Sequence, residues 1–149
     1  MGIFAALSLA GSFIKIPSPI GSPALDSAPG YFSAVAFGTM EGCIVAILGH
    51  LLTSMNAGFP LGMLHVLIAL GMGICAVLFR SIYQKLNILL ACISTILLNG
   101  IVLPLLVIPF YGVGFYWILL PSIFLASILN ICIAGFIYIK IKDKIIITT

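Results

Sequence analysis

The chain has 149 residues, of which 63% are hydrophobic and only 6% charged, and its formal net charge is +3. A soluble domain carries about a quarter of its residues charged, so the composition excludes one and points to an integral membrane protein. The apolar runs have helical lengths and lack the roughly ten-residue alternating segments of an outer-membrane barrel, so the expected fold is a single all-α membrane bundle.

Six spans are predicted in chain order, at residues 3–16, 31–38, 41–57, 61–79, 86–108 and 115–139. The first two are shorter than the ~20 residues that cross a hydrocarbon core. For the first, either the natural start lies upstream of Met1 or the helix is completed by the loop that follows. No charged leader precedes it and no convincing cleavage site follows, which argues against a removed signal peptide. Along it Gly2, Ala6 and Ala10 recur every four residues, a small-residue stripe that allows close helix packing; spacing alone favours packing within the same bundle. Next comes a polar, proline-rich loop, 17–30, then the short second span and a turn at Thr39, Met40 and Glu41. The third and fourth spans are joined through Asn56 to Pro60, and the fifth and sixth through a turn at 109–114.

With six spans, both termini and the connection between the fourth and fifth spans share one side. Arg80, Lys85, Lys140, Lys142 and Lys144 all fall there, opposed by Lys15 alone, and the bias of basic residues makes that side cytoplasmic. Both termini are then cytoplasmic and the 17–30 loop lies outside. Tyr111, Tyr116 and Trp117 form an outer aromatic belt, with Tyr83 and Tyr138 at the inner one.

Polar side chains are scarce and cluster between residues 16 and 60. His50 shares a helical face with Gly42, Ala46 and Thr53, and His65 one with Ala69, Met72 and Ala76, so both point into the bundle. Each reads as a packing histidine bonded to a neighbour, or as a ligand group, since polar side chains at depth are costly and mark sites. Asp26 either caps the helix beginning near Ala28 and Pro29 or contacts a ligand. Glu41 complements a helix dipole. Asn56 and Asn99 read as interhelical bonds or ligand contacts, and Asn130 as structural. Tyr31 and Phe59 serve as interfacial anchors or stack on a flat ligand. The four cysteines are spaced as small apolar side chains, without a disulfide or metal pattern. There is no P-loop, no HExxH and no basic patch interleaved with aromatics, so catalysis, metal binding and nucleic-acid binding lack support.

Three stretches carry a resemblance: Ala6-Leu-Ser-Leu-Ala10 in the first helix, the long outer loop, and Phe37-Gly-Thr-Met-Glu-Gly42 leading into Ile47-Leu-Gly-His-Leu-Leu52. In order and topology they resemble the substrate-binding S components of energy-coupling factor (ECF) transporters, six-helix membrane proteins that capture vitamins. The run from Ile14 through Ala34, with 49–70, most resembles a group predicted to carry alpha-ribazole, the nucleoside of the cobamide lower ligand. The resemblance implies a non-enzymatic subunit without a cofactor of its own. It would dock through helix 1, at Gly2, Ala6 and Ala10, onto a membrane coupling subunit joined to two ATPases, and topple in the bilayer to deliver its cargo. For alpha-ribazole, Tyr31 or Phe59 would stack on the base, and Asp26, His50, Asn56 and His65 would supply hydrogen bonds. Another vitamin or precursor, such as queuosine or a pyrimidine, is the alternative cargo; a membrane scaffold subunit is the alternative class.

Overall fold

Proline placement breaks the apolar amino terminus earlier than the hydropathy does. The computed structural model describes residues 1–19 and 23–145, and in it the first helix, α1, ends at Gly11 (Gly2–Gly11). The Ser12 hydroxyl closes it by donating to the Leu9 carbonyl at 2.6 Å. With prolines at 17, 19 and 23 no helix can continue, and the chain doubles back instead. The Ile16 amide donates to the Pro23 carbonyl at 2.7 Å and the Leu25 amide to the Ile14 carbonyl at 3.1 Å, making a narrow hairpin bridged at Lys15 and Ala24. Residues 20–22 of the expected 17–30 loop lie outside the described residues.

Helix α2 (Ala28–Ala36) carries Pro29 as its second residue, where the fixed φ suits a first turn. It is buried from Gly30 through Ala36, so it forms the axis of the bundle. No side chain of its own caps it. Its amino end is held by Asn130, whose Oδ1 accepts from the amides of Ser27 and Ala28 at 3.0 and 2.9 Å. At its other end Arg80 donates to the carbonyls of Ala34 and Val35 at 2.6 and 3.2 Å. At each end, helix-end groups thus receive partners from a distant helix.

Helix α3 (Thr39–Asn56) runs back along α2, with Glu41 in its first turn. Glycines set the spacing of the pair: a Cβ on Gly30 would lie 2.9 Å from the Ala46 Cβ, and one on Gly42 would collide with Ala34. On the next face, Gly49 receives Ser8 of α1, where a Cβ would stand 2.8 Å from the serine side chain. Helix α4 (Leu64–Lys85) follows a turn in which Gly58 and Phe59 take positive φ, 76° and 49°. Tyr31 and Phe79 meet edge to face at 5.7 Å in the core between α2 and α4.

The last part departs from the expected six spans. From α5 (Ile88–Leu97) the chain passes through a π turn (Leu98–Val102) and a 3-10 turn (Leu103–Val107) into α6 (Ile108–Ile141) and a terminal 3-10 turn, Lys142–Lys144, a run that leaves helical geometry at Gly112. The described residues thus form five separate helical runs. Within the expected turn at 109–114 Pro109 falls in the first turn of α6, where its missing N–H is not needed, and the helices on either side of Gly112 meet at a kink. The change of direction is taken by Gly112 alone, at φ 83°. Pro104 removes a donor just upstream, where the helix shifts between π and 3-10 geometry.

Two ends result. The carboxyl ends of α4 and α6 meet where the Tyr83 and Tyr138 hydroxyls lie 3.1 Å apart, and Arg80, Lys85, Lys140, Lys142 and Lys144 collect there. The hairpin, the end of α3 and the start of α4 lie at the other.

Candidate functional site

At the hairpin end the helices enclose a cavity of about 250 Å³. Apolar side chains make most of its wall, Met72 from α4, Leu103 and Val107 from the 3-10 turn, and Leu119 and Ile123 from α6 among them. Tyr111 and Phe115, stacked at 4.8 Å, add a flat aromatic surface. Its polar groups include Asp26 beside the hairpin, His50 and Thr53 of α3, His65 of α4, Asn99 of the π turn and Asn130 of α6.

The two histidines, read separately in the sequence, are joined. His50 Nε2 lies 3.1 Å from His65 Nδ1, and the Ser54 hydroxyl lies 2.9 Å from that same nitrogen. Ser54 donates to the His50 carbonyl at 2.8 Å, and the Leu61 amide donates to His65 Nε2 at 3.2 Å. The turn after α3 makes this possible by bringing α4 back so that residue 65 faces residue 50.

Asp26 is buried at the end of the hairpin, and burial pushes its carboxyl up to about 6. The Thr53 hydroxyl and the amides of Asp26 and Ser27 oppose that rise. Thr53 also donates to the Gly49 carbonyl at 2.9 Å. A hydroxyl has one proton, so a protonated Asp26 can donate to Thr53 and leave that bond intact, whereas an ionised one competes for the proton.

Asn130, read as structural, sits on the cavity wall with all its hydrogen-bonding capacity engaged. Besides accepting from Ser27 and Ala28 it donates to the carbonyls of Ala24 and Ala126, each at 2.9 Å. It therefore fixes the strand that carries Asp26. Asn99 donates to Ser127 Oγ at 2.8 Å, and Ser127 donates to the Ile123 carbonyl at 2.9 Å.

Of the residues singled out in the sequence, Asp26, His50 and His65 converge on the cavity. Tyr31 is fully buried beside Phe79, away from the wall. Asn56 is exposed and donates to Ser12 Oγ at 3.4 Å, a long contact that ties the end of α3 to the root of the hairpin. Phe59 is exposed too, its ring edge-on to His65 at 6.0 Å. The aromatic surface in the cavity comes instead from Tyr111 and Phe115, whose four-residue spacing was the available signal. On α1, Gly2, Ala6 and Ala10 are all exposed, while Ser8 turns inward.

A helical bundle with a largely apolar cavity at the end away from five of its six basic residues has the form of a small-molecule binding protein. Residues 1–147 match the model of the ECF-type riboflavin transporter S component family, and the chain belongs to that family. It is similar in fold to a solved structure described as the S component of a bacterial ECF transporter, with a TM-score of 0.67 and 20% identity over 96% of this chain and 90% of that one. No curated protein matches the sequence. The family is one of transporter subunits, not of enzymes, and membership implies ECF membrane and ATPase partners. Together with two helical runs long and apolar enough to cross a bilayer, Leu64–Lys85 and Ile88–Lys144, it points to a membrane protein.

Proposed function

We propose that this chain is the capture subunit of an ATP-driven ECF importer and that its cargo is alpha-ribazole. The cavity carries the reading. At about 250 Å³ it falls just below the roughly 300–1,000 Å³ of most ligand pockets, which favours a two-ring base with a ribose over a larger cargo. Dimethylbenzimidazole has apolar edges suited to Met72, Leu103 and Leu119, and a flat face suited to Tyr111 and Phe115. The ribose hydroxyls require fixed partners, which Asp26 and Asn99 supply, while His50, held in place by His65, offers a further polar contact. The name of the family model favours a second reading, riboflavin. Its polar pyrimidinedione edge would need several in-plane partners in a mostly apolar wall.

The basic end favours an orientation with both termini in the cytoplasm and the cavity outside. The open stripe of Gly2, Ala6 and Ala10 is the docking face for the coupling subunit, as the resemblance implies. ATP is used by the partner subunits, and the chain itself needs no cofactor.

Calorimetry on the purified chain in detergent, with alpha-ribazole and riboflavin in separate titrations, tests the cargo. Saturable binding of alpha-ribazole, not displaced by riboflavin, is expected. Tight binding of riboflavin alone would replace the cargo and keep the transport role. Heat from queuosine or a pyrimidine in its place would do the same, and silence of the folded protein toward all of them would favour a scaffold.

A further inference from the structure

One backbone amide decides the proton positions of the whole histidine pair. The Leu61 N–H can only donate, so His65 Nε2, which receives it at 3.2 Å, holds a lone pair. His65 is then neutral with its proton on Nδ1. Two atoms face that proton, Ser54 Oγ at 2.9 Å and His50 Nε2 at 3.1 Å. Ser54 accepts there, because its own proton goes to the His50 carbonyl. His50 Nε2 accepts too, because a second proton would oppose the one on His65. The proton of His50 is therefore on Nδ1.

We infer that His50 presents Nδ1–H to the cavity as a fixed hydrogen-bond donor and so selects a cargo bearing an unprotonated ring nitrogen or a carbonyl oxygen. His50 is a wall residue, and Nδ1 makes no hydrogen bond among the described residues. An empty donor in a largely apolar wall calls for an acceptor, and a cargo lacking one leaves it unpaired. Asn99 supplies the complement. Since Ser127 donates to Ile123, it must accept from Asn99, which fixes the amide so that Asn99 Oδ1 remains free for a cargo hydroxyl or N–H. Both nitrogens of His65 are engaged, so His65 acts through His50 as a positioning residue. The inference deepens the proposed cargo reading and rests on it for the chemical class: the benzimidazole of alpha-ribazole offers one unprotonated ring nitrogen, and its ribose offers hydroxyl donors.

The test has two readouts. The first is long-range ¹H–¹⁵N correlation on the full chain, histidine-labelled and free of cargo, with His50→Gln used to assign the two rings. Nδ1-protonated, neutral rings at both positions are expected. A proton on Nε2 of His50, or two protons on its ring, overturns the inference whatever the cargo. The second compares alpha-ribazole with its indole counterpart, in which C–H replaces the acceptor nitrogen. The counterpart is expected to bind more weakly by roughly ten- to a hundredfold. His50→Asn, which keeps a donor near the Nδ1 position, retains most of that gap, and His50→Gln, which keeps only the contact toward His65, loses it. Equal binding of the two compounds by the unmodified chain overturns the inference. If neither compound binds while the spectrum shows Nδ1–H on both rings, the cargo reading has failed and the donor assignment stands.

Discussion

Asp26 combines burial with a carboxyl group, and the consequence is a pH dependence of defined sign. Its folded value is about 6 against an ordinary 3.8, so the fold favours the neutral form. The stabilisation is complete below the ordinary value and is lost as pH rises through the folded one, at a cost of roughly 3 kcal/mol above it. Asp26→Asn removes that cost. The variant is expected to gain thermal stability relative to the unmodified chain between about pH 4 and about pH 8, as measured by unfolding in detergent micelles; Glu41 and Asp143 are common to both and cancel. A difference that stays constant with pH would show that Asp26 does not titrate in this range. The sequence left Asp26 open between a helix cap and a ligand contact. The cap turns out to be Asn130, a residue 103 positions from Ser27, which no local pattern could indicate. For His50 and His65 depth and face were legible, since small residues share their stripes. Their bond was not, because it depends on how the chain turns between 57 and 63 with Phe59 in a left-handed conformation.

Helix α2 has nine residues, too few to be stable alone, so its integrity rests on what grips it. Pro29 and the Phe37-Gly38 pair marked its surroundings in the sequence. Asn130 and Arg80, which complete its ends, could not be assigned to it, because both act across the bundle from α6 and α4. Replacing Asn130 by Ala strands the amides of Ser27 and Ala28 and the carbonyl of Ala24, and the expected loss is about 2–3 kcal/mol. Arg80→Met keeps the packing of the stem but removes a cation from a helix carboxyl end, for about 1–2 kcal/mol. Hydrogen exchange separates the two: faster exchange in the first should be confined to residues 24–31, and in the second to 34–38. Uniform acceleration along the chain in both would mean that α2 is not held locally at its ends. The joint between α5 and α6 shows the same limit of sequence reading. Pro109 and Gly112 were read as a turn, and the chain does change direction there; that a single non-helical glycine takes the whole change, with helix resuming directly on either side, had no mark in the sequence.

The bundle separates its tasks by face and by end. Polar cavity-lining groups gather under the hairpin, five of the six basic residues gather at the opposite end, and the outer side of α1 carries side chains no larger than a methyl at Gly2, Ala6 and Ala10, all exposed. The inner side of the same helix is spent on packing, with Ser8 against Gly49. From spacing alone the stripe favoured packing within this bundle; in the fold it faces outward, free for another helix. Tryptophan at Ala6 and Ala10 should therefore leave the bundle and the cavity unchanged while blocking close approach of a partner helix. Affinity for cargo in the isolated chain is expected to stay within about twofold, while co-purification with the ECF membrane subunit and cargo uptake by the assembled transporter are lost. Gly49→Val, on the inner contact, is the control with the opposite pattern: its Cβ would stand 2.8 Å from Ser8, pushing α1 off the bundle and weakening cargo binding before any partner is added. If the tryptophan variants assemble and transport normally, α1 is not the docking element and the partner must use another face.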